Sequence, residues 1–488
     1  MATMSISRCV TELARRDPDR PAVTVGERTV TRRELDRRTN RLARALATHG
    51  VGVGDMVTIA LPNSIAFYEV AIAAWKLGAT PQPISARLPE AERDAVVALA
   101  DPAVVVGAEV AGRCCLPVGF EPDPTLDDGP LPDVVSPEWK APTSGGSTGR
   151  PKLIVAREPG RFDPDEAGMM LMRGGDVQLV PGPLYHNGPF LFSFRGLFTG
   201  HHLVVMERFD AEQALRLIEH HRVGFVMMVP TMMQRIWKLP AEVREAHDLS
   251  SLHTVLHLAA PCPPWLKQAW IDWLGPERIL ELYAGTEANG LTVIRGDEWL
   301  TRPGSVGRAV GCEIRILDPD THEELPPGEI GEVYLRSRRG AGATYRYVGA
   351  EATVVDGFDT IGDLGWLDED GYLYLADRRT DLIIAGGANI YPAEVEAAID
   401  THPAVRSSAV IGLPDDDLGQ RVHAIVDATG PLDEEELLAY LGQRLARYKV
   451  PRSVELTADG PLRGDDGKVR RSALRQARIG EGGVTAGR

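Results

Sequence analysis

A run of small hydroxyl and glycine residues, Ser144-Gly-Gly-Ser-Thr-Gly149, carries the first groups that could do chemistry. Glycine lets the backbone reach positive φ and approach a ligand closely. Consecutive backbone N–H groups in such a turn form a concave anion site. The hydroxyls of Ser144, Ser147 and Thr148 add donors, and Lys152 adds a point charge after Pro151. These parts suit the binding of a polyphosphate.

This segment is not a Walker A loop, because that motif requires G-x-x-x-x-G-K followed by Ser or Thr. Lys152 is instead followed by Leu153. A flexible Gly/Ser linker is the structural alternative. Such linkers rarely continue into Pro-Lys and an apolar run like Leu153-Ile-Val155, so the sequence favours a phosphate-binding loop.

A second group of chemical residues follows the apolar run Ile279-Leu-Glu-Leu-Tyr283, which has the character of a short strand. An aromatic face, a hydroxyl and a carboxylate lie within one turn, at Tyr283, Thr286 and Glu287. They could stack a base, contact a phosphate and hold Mg²⁺. An ordinary turn explains the segment equally well when it is taken alone.

Three further residues are ambiguous by themselves. Asp363, beside a glycine, could bind a diol as acidic residues bind ribose in nucleotide folds. His186 follows a predicted strand and suits a pocket rim, although a loop histidine without a task is the better interpretation of that residue alone. Lys468 lies in a Gly/Asp-rich loop, where a lysine is usually solvated.

Bulk properties exclude several classes of function. The 488 residues suggest two to four domains, and the formal charge of −16 disfavours a broad nucleic-acid surface. The five cysteines form no C-x-x-C pair, which predicts a reduced, cytoplasmic protein without structural zinc. We expect no signal peptide, and the apolar run 224–233 is too short to span a bilayer.

Helical and strand-like patterns alternate along much of the chain, which predicts parallel sheets with crossover helices. Short strands separated by Gly and Asp turns over 310–376 predict an antiparallel subdomain. The predicted fold is therefore α/β, with a large N-terminal domain of parallel-rich sheets (1–376), including a small β subdomain. The charged cluster 377–381 marks a domain boundary, and a small C-terminal α+β domain (382–488), here called the lid, follows it.

Taken in this order, the motifs resemble the adenylate-forming superfamily of acyl-CoA synthetases, peptide-synthetase adenylation domains and luciferases. The resemblance covers nearly the whole chain. Leu184-Tyr-His-Asn-Gly-Pro-Phe190 and Ala260-Pro-Cys-Pro-Pro-Trp265 look most like bacterial acid–CoA ligases of the bile-acid-CoA ligase type. The resemblance implies that a carboxylic acid and Mg-ATP give an acyl-adenylate and pyrophosphate, after which CoA displaces AMP.

The resemblance also implies that the lid is mobile, with 377–381 as its hinge, and it implies roles for individual residues. Tyr283 would stack on adenine, Asp363 and Arg378 would bind ribose, and Glu287 would hold Mg²⁺. The implied ATP and AMP contacts are Ser144, Gly145, Gly146, Ser147, Thr148, Gly149, Lys152, Ala260, Pro261, Tyr283, Thr286, Asp363 and Arg378. The implied catalytic residues are Lys468, Thr286, Glu287 and His186. The implied acid pocket comprises His186, Phe190, Val229, Met232, Ala259 and Ala284, and Gly386 and Gly387 would form the loop presented to the thiol.

Departures from the family pattern keep alternatives open. Ala259 and Ala284 replace small glycines, which favours a flat aromatic or arylalkenoic acid, and Thr380 occupies the hinge position where Asp or Lys is usual. The acceptor could therefore be a carrier protein, or the enzyme could be a nitrite-activating diazotase acting on an aminoaryl acid. A nucleotide-binding regulator without turnover is a third hypothesis, which the intact Glu287 and Lys468 argue against.

The expected partners are a small-molecule acid, ATP and CoA, with Mg²⁺ as the metal. We expect no nucleic-acid or membrane partner. The sequence leaves the oligomeric state open, with a dimer as the candidate.

Overall fold

The computed structural model describes residues 3–145, 151–163, 172–415, 417–457, 462–464 and 467–482. Its first part alternates strands and helices, as the sequence pattern predicts. These elements are β1 (Met4–Ser5), α1 (Ile6–Arg16), β2 (Pro21–Val25), β3 (Arg28–Thr31), α2 (Arg32–Thr48), β4 (Met56–Ile59), α3 (Ile65–Lys76), β5 (Thr80–Pro83), α4 (Glu90–Ala100), β6 (Val104–Val106) and β7 (Cys115–Leu116).

The middle part contains the predicted phosphate-loop segment and further βα units. Its elements are β8 (Thr143–Gly145), β9 (Pro151–Ala156), β10 (Arg161–Phe162), β11 (Val177–Val180), α5 (Asn187–Phe198), β12 (His202–Val205), α6 (Ala211–His221), β13 (Phe225–Met228), α7 (Pro230–Trp237), α8 (Ala241–Arg244), β14 (Thr254–His257), α9 (Pro264–Leu274) and β15 (Ile279–Ala284).

The remaining elements form the predicted antiparallel region and the lid. They are β16 (Leu291–Arg295), α10 (Gly296–Trp299), β17 (Ser305–Ala309), β18 (Cys312–Leu317), β19 (Gly331–Ser337), β20 (Tyr345–Val348), β21 (Thr353–Val355), β22 (Phe358–Leu367), β23 (Tyr372–Arg378), β24 (Ile383–Ala385), β25 (Ala388–Ile390), α11 (Pro392–Ile399), β26 (Val405–Asp415), β27 (Gly419–Ala428), α12 (Glu434–Gly442), β28 (Ser453–Thr457) and α13 (Arg471–Gly482).

The largest sheet has the strand order β18-β19-β22-β23-β17-β16-β15-β14-β13-β11-β12-β2-β3, and β21 pairs with β22. From β2 through β12, β11, β13 and β14 to β15, neighbouring strands are parallel. β15 then pairs antiparallel with β16. The strands predicted to form a β subdomain are indeed antiparallel, but they continue the parallel sheet instead of forming a separate one.

The turn after β15 lies where the sheet changes from parallel to antiparallel pairing. The turn, residues 284–287, lies at the carboxyl ends of the parallel strands β13, β14 and β15. Ligands of open α/β sheets bind outside this edge. The fold therefore brings the Thr286 and Glu287 candidates to a position suited to binding.

The lid encloses a hydrophobic core of its own. Among its fully buried side chains are Ile390, Val395, Val410, Val426 and Leu437. β26, β27 and β28 form its three-stranded sheet. The predicted hinge at 377–381 overlaps the last two residues of β23, and β24 begins at Ile383. In the described part of the chain, no helix is long and apolar enough to cross a membrane.

Local capping explains where α2 begins. The Thr31 hydroxyl accepts a hydrogen bond from Glu34 N at 3.2 Å, and Thr31 N donates to Glu34 Oε2 at 2.8 Å. This is the capping box that the Thr-x-x-Glu spacing predicts. It satisfies two donors that the first helical turn would otherwise leave unpaired.

We expect Thr31→Ala to destabilise the N-terminal domain by about 1 kcal/mol, because the Glu34 amide loses its acceptor. Thr31→Ser keeps the hydroxyl and serves as the control. Scanning fluorimetry should give a lower melting temperature for the alanine variant than for the serine variant. Equal losses in the two variants would contradict the capping role.

Candidate active site

The predicted phosphate loop connects two paired strands. Ser144 pairs with Lys152 and Gly145 with Pro151 in the antiparallel ladder of β8 and β9. β20 pairs with the other side of β9. The loop residues between them, Gly146, Ser147, Thr148 and Gly149, lie outside the described residues. Their assignment to ATP remains a prediction.

Glu287, the predicted Mg²⁺ ligand, is buried at the base of the turn after β15. Its Oε1 atom accepts a hydrogen bond from the Tyr347 hydroxyl at 2.6 Å and lies 3.8 Å from Lys152 Nζ. Lys152 Nζ also lies 3.7 Å from the centre of the Tyr347 ring. Burial raises the pKa of Tyr347, and the Glu287 carboxylate raises it further. Tyr347, on strand β20, thus contacts both Lys152 and Glu287.

The position of Glu287 fits a magnesium ligand. A Cβ atom added at Gly285 would lie only 2.8 Å from Glu287 Oε2, so that oxygen passes directly over the glycine. The Tyr347 hydroxyl donates a hydrogen bond to Glu287 Oε1, whereas no hydrogen bond to Glu287 Oε2 is seen among the described residues. A hard carboxylate oxygen is the ligand type that Mg²⁺ prefers beside phosphate oxygens. Thr286, the predicted phosphate contact, is half-buried on the same turn.

Asp363 brings together the side chains predicted to bind the nucleoside. Its Oδ2 atom accepts a hydrogen bond from the Tyr283 hydroxyl at 2.8 Å, and its Oδ1 atom lies 3.3 Å from Arg378 Nε. The register of β22 and β23 places Asp363 directly opposite Arg378. Burial raises the pKa of Asp363, and the charges of Arg378 and Lys468 oppose that rise.

The charge of Lys468, the predicted catalytic lysine of the lid, therefore acts on Asp363 of the larger domain. Its side chain is exposed to solvent. The preceding Gly467 packs against the larger domain, since an added Cβ would lie 3.0 Å from Thr231 Oγ1. Residues more than 100 positions apart in the sequence, Asp363 and Lys468, thus come together in the fold.

The residues assigned to the acid pocket divide into two groups. Ala259 and Ala284 are exposed and His186 is half-buried, so these three lie where a ligand could reach them. His186 immediately precedes α5, and its ring centre lies 4.3 Å from that of Tyr185. Ala259 has φ of +77°, a left-handed conformation that favours glycine.

The other three assigned residues, Phe190, Val229 and Met232, are buried. Phe190 is 1% exposed and packs among aromatic rings, with its ring centre 4.7 Å from that of Phe194. It belongs to the core behind α5, so any effect on the acid would come from shaping the pocket wall. Ala260 is half-buried and Pro261 exposed on the loop before α9, which is compatible with their predicted nucleotide contact.

Gly386 and Gly387 form the two-residue turn between β24 and β25, and both have positive φ, +56° and +81°. Two left-handed residues in succession are what a type I′ hairpin turn requires, which explains the glycine pair. Gly386 N donates to the Leu418 carbonyl at 2.9 Å within the lid. The predicted contact of this turn with a thiol substrate remains a prediction.

Lys140 is a candidate that our sequence analysis missed. Its side chain is 5% exposed, and its ammonium group donates a hydrogen bond to Oδ1 of Asn187. Asn187 directly follows His186 in the sequence. Burial and, to a smaller extent, the charge of Arg195 lower the pKa of Lys140 to about 7, against the opposing charges of Glu158 and Glu287. The segment Trp139-Lys-Ala141 has no recognisable motif, so only its position beside α5 reveals the lysine's relation to the candidate site.

We expect Lys140 to make the stability of the protein depend on pH. Its pKa is 10.5 in an ordinary environment and about 7 in the fold, so the unfolded state binds more protons between these values. Stability should therefore rise with pH over this window, by at most about 1.4 kcal/mol per pH unit from this one group. Lys140→Met should remove that contribution.

The measurement is the melting temperature of both proteins from pH 6.5 to 9.5. Lys449→Met is the control, because Lys449 is paired with Glu394 at 2.6 Å and the pKa of Lys449 is raised. If the difference in melting temperature between the wild type and Lys140→Met did not change with pH, the pKa of Lys140 would not be lowered in the fold.

Comparison with known proteins agrees with this geometry. Residues 10–345 match the family described as AMP-binding enzyme, and residues 394–464 match AMP-binding enzyme C-terminal domain. A feruloyl-CoA synthase from Amycolatopsis sp is 35% identical over 482 residues, covering 95% of this chain and 97% of the relative.

Solved structures show the same fold. An o-succinylbenzoate CoA synthetase (MenE) from Bacillus subtilis, in complex with the acyl-adenylate intermediate OSB-AMP, has a TM-score of 0.81 and 26% identity, covering 97% of this chain and 99% of that one. The same enzyme with ATP and magnesium ion has a TM-score of 0.80 and 26% identity, with coverages of 97% and 100%. With a family match over both domains and a relative above 30% identity along nearly its whole length, this chain belongs to the AMP-binding, adenylate-forming enzyme family.

Proposed function

We propose that this protein is an AMP-forming acid–CoA ligase whose acid is aromatic or arylalkenoic. The observation that carries the proposal is the buried Asp363 carboxylate, which the Tyr283 hydroxyl and Arg378 hold and whose raised pKa the charge of the lid residue Lys468 opposes. A lid lysine thereby acts on the carboxylate proposed to bind the nucleoside, and Glu287 lies on the turn that follows the strand of Tyr283. This is the set of groups that acid activation by ATP requires.

The chemistry follows from charge and geometry. A carboxylic acid is already ionised at neutral pH, so it needs no general base. Its oxygen forms a bond to the α-phosphorus, the bond from that phosphorus to the bridging oxygen breaks, and pyrophosphate leaves. Because several negative charges meet, the catalytic task is to hold and neutralise them, which suits the cations Lys468 and Lys152. Mg²⁺ held by Glu287 would neutralise phosphate charge.

Several observations support an aromatic acid and CoA. The relatives named above are a feruloyl-CoA synthase and an o-succinylbenzoate CoA synthetase, and the names of both acids denote aromatic compounds. In this chain Ala259 and Ala284 are exposed residues with small side chains. All five cysteines are unpaired, which supports the predicted cytoplasmic location. The division into 1–376, 377–381 and 382–488, and a dimeric state, remain part of the proposal.

A panel of acids tests the proposed substrate class. Pyrophosphate release with Mg-ATP should be fastest for phenylpropenoic and benzoic acids and slow for long-chain fatty acids. Mass spectrometry of the product should find a CoA thioester when CoA is present. Preferential turnover of fatty acids would contradict the aromatic assignment. Efficient transfer only to a carrier protein or an amine would contradict the assignment of CoA.

Replacement of Lys468 tests the catalytic assignment. We expect Lys468→Ala to lower the rate of acid-dependent pyrophosphate release about 10²–10³-fold, the usual effect of removing one electrostatic group at a transition state. Arg444→Ala is the control, because this exposed lid cation lies 3.5 Å over the ring of its own neighbour Tyr440. Unchanged pyrophosphate release in Lys468→Ala would leave this lysine without a catalytic role.

A further inference from the structure

The lid contacts the larger domain at both ends of helix α7. At the amino end, a Cβ added to Gly467 would lie 3.0 Å from Thr231 Oγ1 and 3.4 Å from Val229 Cγ2. A larger side chain at this position would press on the Thr231 side chain and would be strained by the positive φ of Gly467, +78°. Because Lys468 is the next residue, this contact holds the chain beside the lysine against the larger domain.

At the carboxyl end, Lys238 follows the last helical residue. Its ammonium donates to the Val405 carbonyl at 2.7 Å and to the Arg406 carbonyl at 3.3 Å, where β26 of the lid begins. Burial lowers the pKa of Lys238, and the lid carboxylates Asp400 and Asp427 oppose the shift. The lysine therefore makes a directed, charge-assisted contact across the domain boundary.

The space beside this contact is open. A cavity of about 610 Å³ separates the two domains there. Its lining from the larger domain includes Trp237, Lys238 and Trp265, and its lining from the lid includes Asp400, His402 and Pro403. Since the two surfaces are not packed tightly at this end, individual polar contacts contribute much of the interaction between the lid and the larger domain here. Small, polar boundaries between domains permit relative motion.

We propose that Lys238 is a positioning residue for adenylate formation, holding the lid in the orientation that brings Lys468 to the nucleotide. The inference rests on the proposed function. Lys238 donates to main-chain carbonyls. The stabilisation of this lid orientation by Lys238 therefore depends on the position of the lid backbone and not on the side chains at 405 and 406. A lid that turns about 377–381 must break these two hydrogen bonds. Lys238 thereby favours the orientation for the first half-reaction over any other.

The test separates the two half-reactions. In Lys238→Met we expect acid-dependent pyrophosphate release to fall about 10-fold in kcat, the loss expected when one hydrogen bond to a charged group no longer favours the competent state. KM for ATP and for the acid should change little. Thioester formation from synthetic acyl-adenylate and CoA should proceed at the wild-type rate or faster. Lys238→Arg, which can still donate to both carbonyls, should restore most of the lost activity.

Arg216→Met is the control, because Arg216 is an exposed cation that contacts Glu212 on its own helix, at 3.3 Å. Both half-reactions should be unchanged in this variant. Equal losses in the two half-reactions of Lys238→Met, or no loss in either, would overturn the positioning role.

A distance measurement tests the same contact without catalysis. Spin labels at Glu242→Cys and Gln443→Cys, both exposed, report the distance between the domains when exposed Cys114 is replaced by serine. We expect one dominant distance in the parent and a broader distribution with Lys238→Met. An unchanged distribution would overturn the inference. If the wild type released no acid-dependent pyrophosphate but the distribution broadened, the contact would stand and the proposed function would fail.

Discussion

The architecture of the site depends on how one buried carboxylate, Asp363, is held. A carboxylate taken out of water is stable only when hydrogen bonds and opposite charges replace its hydration. Tyr283 provides the hydrogen bond from β15, and Arg378 provides the charge from β23. The same carboxylate feels the charge of Lys468 from the lid. One group thus joins the parallel half of the sheet, the antiparallel half and the lid.

The segment between the domains is held from both sides by similar polar contacts. Arg379 Nη1 lies 3.0 Å from Glu332 of the larger domain, while Asp381 Oδ2 lies 2.9 Å from Arg471 of the lid. Thr380 between them is exposed. Each domain therefore holds one neighbour of this threonine through an ion pair. The unusual residue at this position leaves these anchoring contacts intact.

Periodicity predicted much of the fold correctly. Val57, Pro81 and Val104 lie in neighbouring parallel strands, as the β-α-β rhythm indicates. The antiparallel strands over 310–376 are also confirmed, and the prediction of adenylate-forming family membership is confirmed by the comparisons. The bile-acid-CoA ligase likeness remains a prediction. Periodicity could not show that the antiparallel strands extend the main sheet, because hydrogen bonding between β15 and β16 depends on register and not on composition.

By itself the sequence determined which residues have the chemistry for ATP and an acid. These residues form local patterns: glycine pairs, a Tyr-Ala-Gly-Thr-Glu turn and a loop lysine. A local pattern can be recognised in the sequence without knowledge of the fold. Only the tertiary structure brought Tyr347 to Glu287, Lys140 to Asn187 and Lys238 to the lid. Each of these contacts joins residues at least 47 positions apart, which no motif encodes. Burial and the approach of distant charges, which set the pKa values of such groups, exist only once the chain has folded.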